Sequence, residues 1–151
     1  MLLSLPQQAP YTIPPAALAR WATQRVRREP RRDGGVVYSF AMSGSTCNNV
    51  PLDVLMTVTL GADGRIESAT ARPAGHDAGC GAMCAALGDG GGFLSHFGSA
   101  EEVVGLTLEQ ATFRSWDPEP SGCFCTAANR RHKWRNVFEA LHYSAAHEDN
   151  V

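Results

Sequence analysis

No apolar run in the 151-residue chain approaches the ~18–20 residues a membrane-crossing helix needs, so the sequence does not span a bilayer as a helix. Charge is scarce too. Thirteen Lys and Arg against 15 Asp and Glu leave a net −2, which excludes a global pull toward nucleic acid or anionic lipid. No two cysteines stand in a C-x₂-C pair, so the usual zinc-ribbon spacing is missing. The glycine run at 88–92 lacks the preceding strand and the following Lys-Ser/Thr of a phosphate loop. Ser43 and Ser45 have no base-and-orienter partners, so a hydrolase triad is not supported. The apolar start at Met1, Leu2 and Leu3 stops at Pro6 with no basic stretch before it, too soon for the core of a secretory signal. The expectation is a cytoplasmic protein with mostly reduced thiols, although counting five cysteines leaves disulfides open.

What is present is enough for a folded domain. The composition is 44% hydrophobic, which excludes wholesale disorder. A chain of this length buries roughly 68–70% of its unfolded surface. Fifteen Gly and nine Pro predict long irregular connections.

Residues 1–33 read as an N-terminal helical arm, followed by a domain over 34–151. Pro14-Pro15 suits a first helical turn. Leu18, Trp21, Ala22 and Arg25 then recur at helical spacing over 16–28, and Pro30 stops the run. Arg25, Arg27, Arg28, Arg31 and Arg32 either complement the helix dipole or form a docking handle for an acidic partner or nucleic acid. Asp33-Gly34-Gly35 is a break. Val36, Tyr38, Phe40 and Met42 then alternate as a strand. Leu52, Val54, Met56, Val58 and Leu60 share one face of a second strand, with Asp53, Thr57 and Thr59 on the other. Asp63-Gly64 signals a hairpin, and 65–72 returns as a third, more polar strand at an edge. Short helical pieces are expected at 81–87 and among Phe93, Leu94, Phe97, Val103, Val104, Leu106 and Leu108. A final helix over about 126–146 aligns Trp134, Val137, Phe138 and Leu141 on one stripe. The fold class is α+β: a three-stranded antiparallel sheet followed by helices packed on one face.

The cysteines fall on the connections. Cys47 follows the first strand, Cys80 and Cys84 follow the third, and Cys123 and Cys125 precede the last helix. If the strands neighbour one another in order, three connections bring thiols to one corner, where thiolates bind zinc or iron–sulfur clusters. Cys80 and Cys84 fit one helical turn. Cys123-Phe124-Cys125 is strained as a disulfide but workable as a ligand pair. His132 lies seven residues beyond Cys125, among Arg130, Arg131, Lys133 and Arg135. Such an electropositive corner lowers thiol pKa values or receives an anionic ligand or acidic partner.

Over about residues 36–146 the arrangement resembles the NifU N-terminal or IscU-like iron–sulfur cluster assembly scaffolds. The stretches that carry the likeness run from Asp53-Val54-Leu55-Met56 to Asp63-Gly64-Arg65-Ile66. Gly79-Cys80-Gly81, Leu106-Thr107-Leu108-Glu109-Gln110-Ala111 and His132 with the helix ending Phe138-Glu139-Ala140-Leu141 complete it. The resemblance implies Cys47 and Cys80 as the first and second ligand cysteines, Asp53 in place of the family's aspartate, and His132 as its histidine. The family's cysteine after that histidine is Lys133 here, so Cys123 or Cys125 would supply the missing thiolate. The resemblance also implies a cysteine desulfurase or a cluster acceptor as protein partner.

These readings make the chain a binding protein rather than an enzyme. It would hold zinc or an iron–sulfur cluster through Cys47, Cys80 and one or both of Cys123 and Cys125, with Cys84, Asp53 and His132 in reserve. Two other readings stand beside it: a degenerate scaffold acting as an interaction module with structural zinc or disulfides, and a thiol redox protein using Cys123-Phe124-Cys125.

Overall fold

The computed structural model describes residues 11–45, 51–73, 100–116 and 127–147. Helix α1 spans Pro15–Gln24, with proline in its first turn. Four strands follow: β1 Val26–Pro30, β2 Val36–Ser45, β3 Pro51–Leu60 and β4 Ile66–Pro73. A 3₁₀ turn at Glu101–Val103 leads to the short helix α2, Leu108–Phe113. The long helix α3 spans Ala127–His147. The sheet is an antiparallel meander in the order β1-β2-β3-β4.

The α+β class and the antiparallel sheet are as expected, but the described residues form four strands rather than three. The basic stretch read as the end of a helix is β1. The helix stops at Gln24, and Arg31 to Gly35 then reverse the chain onto β2. The Asp33-Gly34 turn has the same bonds as the Asp63-Gly64 turn between β3 and β4. Gly34 N–H donates to Arg31 C=O and Arg31 N–H to Gly35 C=O; Gly64 N–H donates to Gly61 C=O and Gly61 N–H to Arg65 C=O. Gly34 and Gly64 take φ of +93° and +81°, a region nearly closed to other residues. Once the turn sets the register, ladder hydrogen bonds outweigh the helical preference of arginine. Exposed Arg27, Arg28 and Pro30 suit an edge strand, since charge and proline block further pairing.

The alternation of the strands builds one buried face. Phe40 lies opposite Met56 and Met56 opposite Ala71; Tyr38 lies opposite Val58 and Val58 opposite Ala69. All six are buried. The α3 stripe of Trp134, Val137, Phe138 and Leu141 is fully buried in the same core, as is Leu18 of α1. Residues 15–30 are thus part of this packing: α1 lies on α3, and β1 pairs along β2. On the opposite face of the sheet Ser39, Thr57 and Thr59 are half-buried, while Thr70 and Arg72 are exposed.

As expected, the third predicted strand, now β4, ends the sheet. Its outer edge takes backbone bonds from the next segment: Ala100 N–H to Ala69 C=O, Gly105 N–H to Ile66 C=O, and Ile66 N–H to Leu106 C=O. Thr107 and Gln110 then close a reciprocal capping box that starts α2. The expected helical pieces at 81–87 and around Phe93, Leu94 and Phe97 lie outside the described residues.

Candidate functional site

Cys47, Cys80, Cys84, Cys123 and Cys125 lie outside the described residues. Asp53 is a position of β3 opposite Ser43, and His132 is a position of α3. Among the described residues no group of three His, Cys, Asp or Glu side chains is placed to hold a metal ion.

The backbone nevertheless orders the segments that carry those residues. β2 hands the chain to 46–50 at Ser45, and β3 takes it back at Pro51, directly opposite. Met42 of β2 lies opposite Val54 of β3, and Val54 lies opposite Pro73, the last residue of β4. Met42 and Pro73 are therefore two strand spacings apart, about 10 Å. The chain positions leading to Cys47 and Cys80 leave the sheet at one end.

That end joins α1 and α3 at a pocket of about 140 Å³. Among the described residues, Trp21, Arg25, Phe40, Met42, Lys133 and Asn136 line it. Each wall has a simple origin. Trp21 and Arg25 are four apart on α1, hence on one side of the helix. Phe40 and Met42 are two apart on β2, hence on one face of the sheet. Lys133 and Asn136 are three apart on α3, beside the buried Trp134 and Val137. The Trp21 ring meets Phe40 edge-on, with centroids 5.7 Å apart. Arg25 is pinned: its Nη1 donates to the Ala41 carbonyl at 3.0 Å. The half-buried Lys133 ammonium is less well hydrated than in water, which pushes its pKa down. Two cationic side chains, an amide and an apolar wall line this pocket, with no carboxylate among the described lining residues.

A second polar cluster ties the start of the described chain to α3. Glu139 is 2% exposed, and its carboxylate accepts from Thr12 N–H, Thr12 Oγ1 and Ile13 N–H at 2.9, 2.9 and 3.1 Å. Tyr11 Oη lies 2.7 Å from His142 Nδ1. Burial, then the charge of Glu139, push the Tyr11 phenol up to about 12. Burial pushes the His142 imidazole down; Glu109 opposes that shift and His147 adds to it. This cluster is a clasp that ties residues 11–13 to α3.

Sequence reasoning singled out Lys133 as the residue in the cysteine's place and Arg25 as part of a basic helix end. It did not bring them together, and it passed over Asn136 and Glu139. The signal for Asn136 is its spacing from Lys133 along the flank of the apolar stripe. Glu139 lies inside that stripe, between Phe138 and Leu141, where a carboxylate must find donors from elsewhere in the chain.

No helix among the described residues is long and apolar enough to cross a membrane. Comparison with family models, with curated proteins and with solved structures returns no match of any of the three kinds, so the likeness to cluster scaffolds rests on this chain's own residues.

Proposed function

We propose that the chain is a binding protein that carries a thiophilic metal ion or an iron–sulfur cluster as cargo. Cys47, Cys80 and one or both of Cys123 and Cys125 hold it, with Cys84, Asp53 and His132 in reserve. The observation that carries this reading is the register line Met42–Val54–Pro73, which sets the departures toward Cys47 and Cys80 at one sheet end. Cys47 is two residues beyond Ser45, and Cys80 seven beyond Pro73. Cys125 is two before the first residue of α3. Extended chain spans roughly 3.3–3.6 Å per residue, so these tethers reach about 7 Å, 24 Å and 7 Å. The tethers to Cys47 and Cys80 together exceed the two strand spacings, about 10 Å, that separate Met42 from Pro73.

The electrostatics favour an anionic assembly over a bare cation. Lys133 supplies no thiolate, and its ammonium repels a free metal ion. A metal centre already bound by several thiolates is net negative, and Arg25 and Lys133 on the pocket wall offset that charge. Nothing in this reading needs a catalytic residue; the chain binds and releases. Its protein partner, a cysteine desulfurase or a cluster acceptor by resemblance, has a basic edge to dock against in exposed Arg27, Arg28 and Arg32.

Anaerobic reconstitution with ferrous iron and sulfide tests the proposal. The expected result is a brown protein with thiolate-to-iron charge-transfer bands in the visible. A colourless protein whose stoichiometric zinc leaves only on unfolding overturns the cargo reading. It supports instead an interaction module with a structural zinc knot, which Lys133 in the third cysteine's place also favours.

A further inference from the structure

We infer that residues 11–13 form a strap across α2 and α3 that opens in mild acid while the sheet and the helices stay folded, with His142 as its latch. The inference does not depend on the cargo reading, since none of the proposed ligands takes part.

The attachment is local. Among the described residues no backbone–backbone hydrogen bond holds 11–13. Thr12 and Ile13 hang on the buried Glu139 carboxylate through two N–H groups and one hydroxyl. Tyr11 Oη lies 2.7 Å from His142 Nδ1. The Tyr11 ring meets the imidazole edge-on with centroids 5.8 Å apart, and Phe113 of α2 closes on it at 5.0 Å. The outer side of the strap faces water, for Thr12, Pro14 and Pro15 are exposed. Beyond it the chain is fixed, because the fully buried Leu18 pins α1. Opening therefore ends at Pro14 and breaks no bond of the sheet ladder.

The latch follows from linkage. With the strap closed, His142 is half-buried beneath Tyr11, and burial favours its neutral ring. Lifting Tyr11 returns one side of the imidazole to water, where charge costs less. The open form then takes up a proton more readily, so acid shifts the balance toward it. The charged neighbours do not cancel this. Glu109 of α2 favours the imidazolium, His147 of α3 opposes it, and burial outweighs both. Glu139, three residues before His142 on α3, is engaged by Thr12 and Ile13. Tyr143 and Phe113 bring no charge at these pH values. Tyr11 itself ionises only toward pH 12, so near neutrality the device answers to acid alone.

Amide hydrogen exchange of the full-length protein, corrected for intrinsic rates, tests the inference. Thr12 and Ile13 report the strap, and Met56 and Val58 of the interior strand β3 report the fold. Between pH ~7.5 and ~5.5, protection at Thr12 and Ile13 should fall roughly three- to tenfold, and that of Met56 and Val58 should fall less. His142→Phe should abolish the difference. His142→Gln, which does not titrate and keeps a polar partner for Tyr11, serves if circular dichroism shows the first variant unfolded. A parallel fall at all four amides overturns the inference, since the whole fold would then open together. A fall at Thr12 and Ile13 that persists in a folded His142 variant overturns it as well, because another group would be the latch.

Discussion

The Tyr11 hydroxyl lies 2.7 Å from Nδ1 of His142 and spans 131 residues of sequence to close the chain's first described segment onto its last helix. When the neutral imidazole carries its proton on Nε2, the hydroxyl donates and Nδ1 accepts; the other tautomer reverses the roles. Phe113 and Tyr143 flank the pair, with ring centroids 5.6 and 6.1 Å from Tyr11.

That pair sets an acid limit. Burial lowers the His142 pKa in the folded protein, so the unfolded chain takes up the proton more readily. The contribution to stability is present above the ordinary value of about 6.5 and is lost as pH falls below it. Glu109 and His147 act in opposite senses on the ring, and neither cancels the burial. Thermal melts from neutral to mildly acid pH should show a steeper loss in the wild type than in His142→Phe, which keeps the packing against Phe113 but cannot titrate. Parallel curves would contradict this.

An alkaline limit follows from the other partner. The folded Tyr11 pKa of about 12 lies above the ordinary 10.0, so the folded state holds the phenolic proton more tightly than the unfolded chain. Stability is therefore complete below pH 10 and declines as pH rises from there through 12. A phenolate absorbance titration should show a late-titrating component that is absent in Tyr11→Phe.

Glu139 secures the same segment through three hydrogen bonds to Thr12 and Ile13. Glu139→Ala should destabilise the fold by about 1–3 kcal/mol and speed amide exchange at Ile13. Glu139→Gln keeps the shape and one acceptor oxygen, so it should cost less. Equal losses for the two variants would mean that packing, not hydrogen bonding, fixes this contact.

The turn glycines separate two kinds of strain. Nothing lies within 4 Å of a Cβ built on Gly64, so Gly64→Ala costs only its positive φ, about 1–2 kcal/mol. At Gly35 a Cβ would collide with the carbonyl oxygen of Leu60, a backbone atom of β3 held in the ladder. Gly35→Ala should therefore be the more damaging in urea denaturation. The reverse order would show that the sheet end near Leu60 yields easily.

Most of the sheet and the long helix were legible because their side chains obey simple periods. The alternation of Tyr38, Phe40, Val54, Met56 and Val58 and the stripe from Trp134 to Leu141 appear in the structure as buried faces. β1 was missed although its turn carries the same Asp-Gly signal as the hairpin that was read correctly. The arginines beside Asp33 have no apolar alternation, and an edge strand whose residues 27–30 are all exposed needs none. The pocket was illegible for another reason: Trp21, Phe40 and Lys133 come from three elements, and only packing makes them neighbours. Glu139 looked like one more position of an amphipathic helix, because its donors lie 126 and 127 residues away. The five cysteines lie outside the described residues; what the structure orders is the strand ends that lead toward Cys47 and Cys80.

The cargo proposal stands or falls on metal content. Elemental analysis of protein purified without chelator or oxygen should find iron or zinc at a fixed ratio to chain. Cys47→Ala and Cys80→Ala should each abolish it while leaving the circular dichroism of the fold unchanged. Full metal retained in both variants would contradict the account, because the thiols leaving the two aligned strand ends would then play no part in holding it.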